Sequence, residues 1–174
     1  DDELVGMSIQ LFFAGFETTE GLIGNMVLAL SRNPEEAAKL RSHPDLIENT
    51  VEEALRYDSS ILKQSRVASE DQDFGGQKIK KGDYMHFMIG AANYDSARFS
   101  DAHIFDVKRE DVGHVSFGHG IHFCIGAPLA RLEARIALRA LLERLSRIEI
   151  LEPAPVYPEL FAVRKPLHLW IRNI

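Results

Sequence analysis

One stretch limits what this chain can become. Residues 117–127 read Phe117-Gly118-His119-Gly120-Ile121-His122-Phe123-Cys124-Ile125-Gly126-Ala127. A glycine-rich loop ends on Cys124, the only cysteine in 174 residues, and an amphipathic run begins directly after it. A sulfur in that position receives backbone N–H groups and the positive end of a helix dipole, and both favour the charged, ligating form. Gly118 and Gly120 permit dihedrals that other residues avoid and let the backbone approach a flat cofactor closely. Phe117 offers an aromatic face to cover the sulfur. Gly126 lets the following helix pack close to such a cofactor, and Pro128 falls in the first helical turn, where its missing N–H costs nothing. His122 can donate to a carboxylate.

A single thiolate in an apolar, glycine-shaped cradle is what a haem iron needs on its proximal side. A lone cysteine is more often a small buried hydrophobe. The combination of Phe, two Gly, Cys and a further Gly at fixed spacing is rarer, on the order of one in a million per start position at average residue usage. The segment resembles the haem-binding loop of the cytochrome P-450 monooxygenases, Phe-Gly-x-Gly-x-His-x-Cys-x-Gly. The resemblance runs from Asp1 to Ile174, in the style of soluble bacterial members. It implies haem b (iron protoporphyrin IX) with Cys124 as the iron ligand. It also implies that Arg66, His122, Phe117, Gly118, Gly126, Ala14 and Gly15 surround the cofactor, with Arg66 and His122 holding its propionates. An arginine fork suits a carboxylate.

Bulk properties agree with this. Residues 1–174 are expected to form a single partial domain, since family members are typically more than twice as long and the chain opens just before the segment that resembles their long central helix. Charged residues make up 26% and the formal net charge is −6, without the basic stripe of a nucleic-acid partner. One cysteine excludes an internal disulfide, which fits a reducing cytoplasm. No run approaches 18 apolar residues and no signal-peptide pattern opens the chain, so no membrane span is expected.

The pattern predicts a protein that is mainly α with small β-sheets: the C-terminal part of the family fold, comprising long central helix, Glu-x-x-Arg helix, meander, cysteine loop and proximal helix. Residues 3–32 read as a long helix, apolar over a broad arc and therefore largely buried. Asn33-Pro34 breaks it, and a short helix follows to about Ser42. A third helix spans Asp45 to Tyr57. Residues 62–69 can form a strand, Gly75-Gly76 a hairpin turn and Lys81-Gly82-Asp83 a second turn. Tyr84 to Ile89 looks buried. Residues 93–116 read as an irregular meander, 125–146 as an amphipathic helix, and Ile148 to Ile174 as short strands between prolines.

Two further motifs carry chemistry. Ala14-Gly15-Phe16-Glu17-Thr18-Thr19 interrupts the first helix with residues poor in helix interiors; glycine alone costs about 1 kcal/mol relative to alanine, and threonine hydroxyls bond back to carbonyls. The alternatives are a helix dipping to solvent and a locally opened helix beside the haem. By resemblance the second holds: Thr18 holds a water or dioxygen and Glu17 relays protons for O–O cleavage. Glu53 and Arg56 stand three apart on one helix face. A Glu-x-x-Arg match is usually a solvated pair worth a few tenths of a kcal/mol, but its order relative to the cysteine loop matches the family's buried brace. Ile104 stands where the third, basic arm is expected, leaving His103 or Arg109 to substitute. By resemblance, Ala14, Ile61, Leu62 and Phe161 are the expected lining of the substrate pocket.

The implied activity is insertion of one atom of dioxygen into a small apolar organic substrate, with two electrons from a ferredoxin-type donor. The alternatives are a truncated fragment with weak or no haem binding and, third, a peroxide-using peroxygenase. Zinc, iron–sulfur and covalent-haem sites lack their cysteines. A cysteine hydrolase leaves the glycine pattern and Glu17-Thr18 unexplained.

Overall fold

The computed structural model describes residues 1–146, 148–151, 154–159 and 162–173. Helix α1 (Asp2–Arg32) ends where Asn33 satisfies its last carbonyls. The Asn33 backbone N–H donates to Ala29 O and Leu30 O, and its side-chain Nδ2 donates to Ala29 O at 2.8 Å. Pro34 then opens α2 (Pro34–Ser42), with Glu35 and Glu36 in its first turn and Lys39 and Arg41 in its last, charges that complement the helix dipole. The expected third helix begins later than Asp45: Pro44–Leu46 forms a 3-10 turn and α3 runs Ile47–Tyr57.

Three two-stranded antiparallel sheets follow. Strand β1 (Gln64–Val67) is shorter than the expected 62–69 and pairs with β4 (Tyr84–Phe87), Gln64 opposite Phe87. The hairpin of β2 (Gln72–Phe74) and β3 (Gln77–Ile79) turns through Gly75 and Gly76, both at positive φ. A short helix, α4 (Ile89–Ala92), leads into the irregular stretch up to the cysteine loop. The proximal helix is α5 (Ala127–Arg144), two residues shorter at each end than expected, with Pro128 in its first turn. Strands β5 (Ile148–Ile150) and β6 (Ile171–Asn173) pair near the C-terminus.

The core lies where α1, α3 and α5 meet. Leu22, Met26 and Leu30 recur one turn apart on α1 and pack with Val51, Ala54 and Leu55 of α3 and Ala134 and Leu138 of α5. Phe105 and Val107 of the meander and Leu40 of α2 close the same cluster. Each buried Leu, Met, Val or Phe of this cluster contributes about 1.5–3 kcal/mol through removal from water.

Two burial expectations fail. Helix α1 is buried only from Gly21 onward, while Leu4, Met7, Leu11 and Phe12 are exposed, Phe12 at 77%. The apolar arc was read correctly, but among the described residues the elements packed on α1 meet its C-terminal half. Tyr84 to Ile89 is also mostly exposed, with only Ile89 buried; β4 belongs to a two-stranded sheet that nothing among the described elements covers.

Candidate functional site

The cysteine loop takes its shape from two residues in the left-handed region. Gly118 has φ 75° and Gly120 φ 73°, values costly for any residue with a Cβ. Between them and the helix, Gly120–His122 forms one 3-10 turn. The Cys124 N–H then donates to Phe117 O at 2.9 Å, closing the loop on itself. Gly126 sits just ahead of α5, and a Cβ there would stand 3.8 Å from the Cys124 sulfur.

The loop forms one wall of an open cleft of about 1250 Å³, counting the part open to solvent. Cys124, Phe117, Gly118, His122 and Gly126 line that wall. Ala14, Gly15, Thr18 and Leu22 of α1 line the opposite one, and Ile61, Gln64 and Arg66 lie along an edge. Cys124 is an exposed residue because its face of the loop opens on this space. A Cβ built on Gly15 would meet nothing within 4 Å, so α1 presents bare backbone to the cleft. A sulfur across an open cleft from an uncovered helix backbone, with apolar side chains and two basic groups lining the space, suits a flat apolar ring with an acidic edge. The residues present fit a haem.

Most of the expected cleft residues therefore meet in one place, and two of the described ones do not. Leu62 turns away from the cleft towards Gly90, whose Cβ would come within 2.9 Å of the Leu62 side chain. Glu17 lies off the cleft lining, on the outward side of α1, where its carboxylate is 3.6 Å from Lys165 Nζ. Phe161 falls outside the described residues. The anticipated local opening of α1 is absent: the helix is continuous, and Thr18 Oγ1 donates to Ala14 O at 2.7 Å. The i−4 hydroxyl bond occurs without breaking the helix. Arg66 Nη1 donates to Ser65 O at 2.8 Å.

Behind the loop, Glu53 and Arg56 are both fully buried. Arg56 uses every N–H: Nε and Nη2 bond Glu53 at 2.7 and 2.9 Å, and the rest reach the carbonyls of Asn93, Ala102 and Ile104. The third arm is Arg109, whose Nε lies 3.1 Å from both Glu53 oxygens. Asn93 adds a junction, donating to Ser59 Oγ and Ser116 Oγ at 2.8 Å each and accepting from the Val115 N–H at 2.9 Å. It fastens the end of α3 to the irregular segment that enters the cysteine loop.

One cluster had no counterpart in the sequence reading. Glu52, next to Glu53, accepts from Arg131 Nε and Nη2 at 2.7 and 2.8 Å and lies 3.2 Å from His114 Nε2. The Arg131 guanidinium covers the Phe117 ring at 4.5 Å. Burial pushes the Glu52 carboxyl up, but hydrogen bonds from His114 and Arg131 outweigh it and hold it at about 2. A depressed carboxylate contributes stability that is complete above its unfolded value, 4.5, and is lost as pH falls through about 2. Glu52→Gln is therefore expected to flatten the acid limb of a urea-midpoint-versus-pH curve between these values. An acid limb as steep as wild type would disprove the coupling.

Comparison with known proteins agrees with this geometry. The family model Cytochrome P450 matches residues 1–167. The chain is 44% identical over 164 residues to the biotin biosynthesis cytochrome P450 of Bacillus subtilis (strain 168), covering 94% of this chain and 42% of that protein. It is 50% identical over 145 residues to cytochrome P450 107B1 of Saccharopolyspora erythraea, covering 83% and 36%. The crystal structure of P450BioI in complex with hexadec-9Z-enoic acid ligated acyl carrier protein superposes with a TM-score of 0.92 at 44% identity, over 95% of this chain and 43% of that one. The chain belongs to the cytochrome P450 family, and membership implies a haem cofactor. It spans about two fifths of the length of these relatives. No helix among the described residues is long and apolar enough to cross a membrane.

Proposed function

We propose that the chain is the haem-binding portion of a monooxygenase that takes a small apolar organic substrate, dioxygen and two electrons from a ferredoxin-type donor. The observation that carries this reading is the single cleft with the Cys124 sulfur on one wall and Ala14, Gly15 and Thr18 on the other. Haem b, when bound, supplies the activation of dioxygen and the transfer of one of its atoms to the substrate. Cys124 is the one thiolate available as iron ligand. Arg66 and His122 would hold the acidic edge, and Phe117 would shield the sulfur side from water. Ala14 and Ile61 give the substrate side its apolar character.

Thr18 is the proton-holding group on the cleft wall. Its hydroxyl is parked on Ala14 O and can turn to a water or to substrate-side oxygen. Glu17, on the outer side of the same turn, takes protons from solvent, and Lys165 keeps a cation beside it. The acid thus stands outside and the alcohol inside. A cytoplasmic location accords with the lone free thiol.

Titration of the 174-residue chain with hemin tests the reading: one haem per chain should saturate the site. Thr18→Ala is expected to lower product formed per electron consumed by an order of magnitude or more, as positioned proton donors contribute ~10²–10⁴-fold. Coupling equal to wild type would remove Thr18 from the relay. Retention of Glu17 and Thr18 weighs against peroxide-only chemistry, which has less need of a relay. A second reading rests on the exposed apolar half of α1: a chain that takes up no haem and self-associates through Leu4, Met7, Leu11 and Phe12. Failure of hemin to saturate, with oligomers by sedimentation, would favour it.

A further inference from the structure

The Glu52–Arg131–His114 cluster is not used by the chemistry proposed above, yet it touches the loop that presents the sulfur. Its parts come from three places: Glu52 from α3, Arg131 from the second turn of α5, and His114 from the approach to the loop. Arg131 spends its fork on Glu52 and lays its flat face on Phe117, the arrangement in which a guanidinium pairs and stacks at once. Phe117 also contacts the His114 ring at 5.9 Å and the Phe123 ring at 6.3 Å. Its carbonyl accepts the Cys124 N–H. His114 Nδ1 accepts the Ser116 N–H at 3.2 Å, so the same cluster also fixes the backbone entering the loop.

We infer that Arg131, aimed by Glu52, is a positioning residue for Cys124: it clamps Phe117 so that the loop keeps its ligand-presenting shape, and it sets a compensated charge behind the sulfur. Glu53 and its neighbour Glu52 then divide the work of α3. Glu53 braces the meander through Arg56 and Arg109, and Glu52 braces the cysteine loop through Arg131. The Glu52 hydrogen bond holds the Arg131 guanidinium pKa above its ordinary value against the opposing effect of burial.

The clamp has two separable consequences. Its mechanical part needs the planar fork and the stacked face, which lysine lacks. Its electrostatic part needs only the positive charge. Removing Arg131 leaves the Glu52 carboxylate unopposed behind the sulfur and disfavours the more negative, reduced iron. Removing the Glu52 charge leaves Arg131 unopposed and does the reverse.

The test uses the 174-residue chain as Arg131→Gln, Arg131→Lys and Glu52→Gln. In the haem-free protein, amide hydrogen exchange at Cys124 should be at least tenfold faster in both Arg131 variants, with core amides of Met26, Val51 and Leu138 unchanged. Unchanged Cys124 exchange, or loss in step with the core amides, overturns the clamp; the milder lysine variant keeps this readout available if glutamine prevents folding. The second readout rests on the haem-thiolate reading. In hemin-loaded protein, Arg131→Gln should lower the midpoint potential and Glu52→Gln should raise it, each by about a tenfold change in the ferric–ferrous equilibrium, 59 mV for one electron. Arg131→Lys should stay near wild type. Shifts of the same sign in both neutralising variants overturn the charge role, because simple loosening of the loop has no reason to reverse sign. If hemin is not taken up, the proposed function fails, and the exchange measurement still decides the clamp.

Discussion

Arg56→Met is expected to cost about 3–5 kcal/mol of folding stability, the range measured when one partner of a buried ion pair is removed. Arg56 is wholly excluded from solvent and every one of its N–H groups is used. Methionine fills the volume but leaves three backbone carbonyls, those of Asn93, Ala102 and Ile104, without that donor. Glu53 keeps a full counter-charge in Arg109 and the Asp106 N–H at 3.0 Å, so the cost falls on its lost hydrogen bonds and on the carbonyls, at about 1–3 kcal/mol for a buried acceptor left without a donor. Domains are stable by about 5–15 kcal/mol in all, so cooperative urea unfolding should be severely weakened or lost. Arg56→Lys should rescue little, because one ammonium cannot reach Glu53 and the carbonyls from a planar fork. A urea-derived loss below about 1 kcal/mol, the size of an ordinary point substitution, would show that the brace is not what holds the meander.

Cys124→Ser is expected to have the opposite profile. The residue is exposed and its side chain fills no part of the core, so the apo chain should unfold within about 0.5 kcal/mol of wild type, as surface substitutions do. The effect falls on the cofactor. A serine hydroxyl stays protonated and cannot replace a thiolate as the electron-rich ligand of haem iron. Hemin titration followed by reduction under carbon monoxide should then give no thiolate-type spectrum. A thiolate-type spectrum that survives the substitution would remove Cys124 from the iron.

How much of this was legible in the sequence depended on the range of the interaction. The loop from Phe117 to Gly126 could be read because its constraints are local: two positive-φ glycines and a proline in the first helical turn are written in consecutive residues. Gly75-Gly76 was readable for the same reason. Glu53–Arg56 lies within one helical turn, and only its third arm stayed open until Arg109 was seen against Glu53. Glu52 was missed because adjacent residues on a helix point about 100° apart, and its partners lie 62 and 79 positions away. No spacing rule links such positions.

The burial errors have a related cause. The first turns of α1 carry apolar residues all round, which in a helix signals a covered position. Periodicity states that a face wants a partner without stating that the partner lies in this chain. Leu62 failed on a smaller scale, since the family resemblance implied its segment at the cleft but not which side of the backbone each residue takes; Ile61 faces the cleft and Leu62 turns to Gly90. Glu17 and Thr18 show the same parting of neighbours on a helix.

The claim beneath all of this is that the sulfur at position 124 binds a porphyrin iron. The most direct measurement is the absorption spectrum of the hemin-loaded chain, reduced under carbon monoxide. A Soret band shifted to the red, present in wild type and absent in Cys124→Ser, is the predicted result. A band at the position given by imidazole-ligated haem, identical in both proteins, would contradict it.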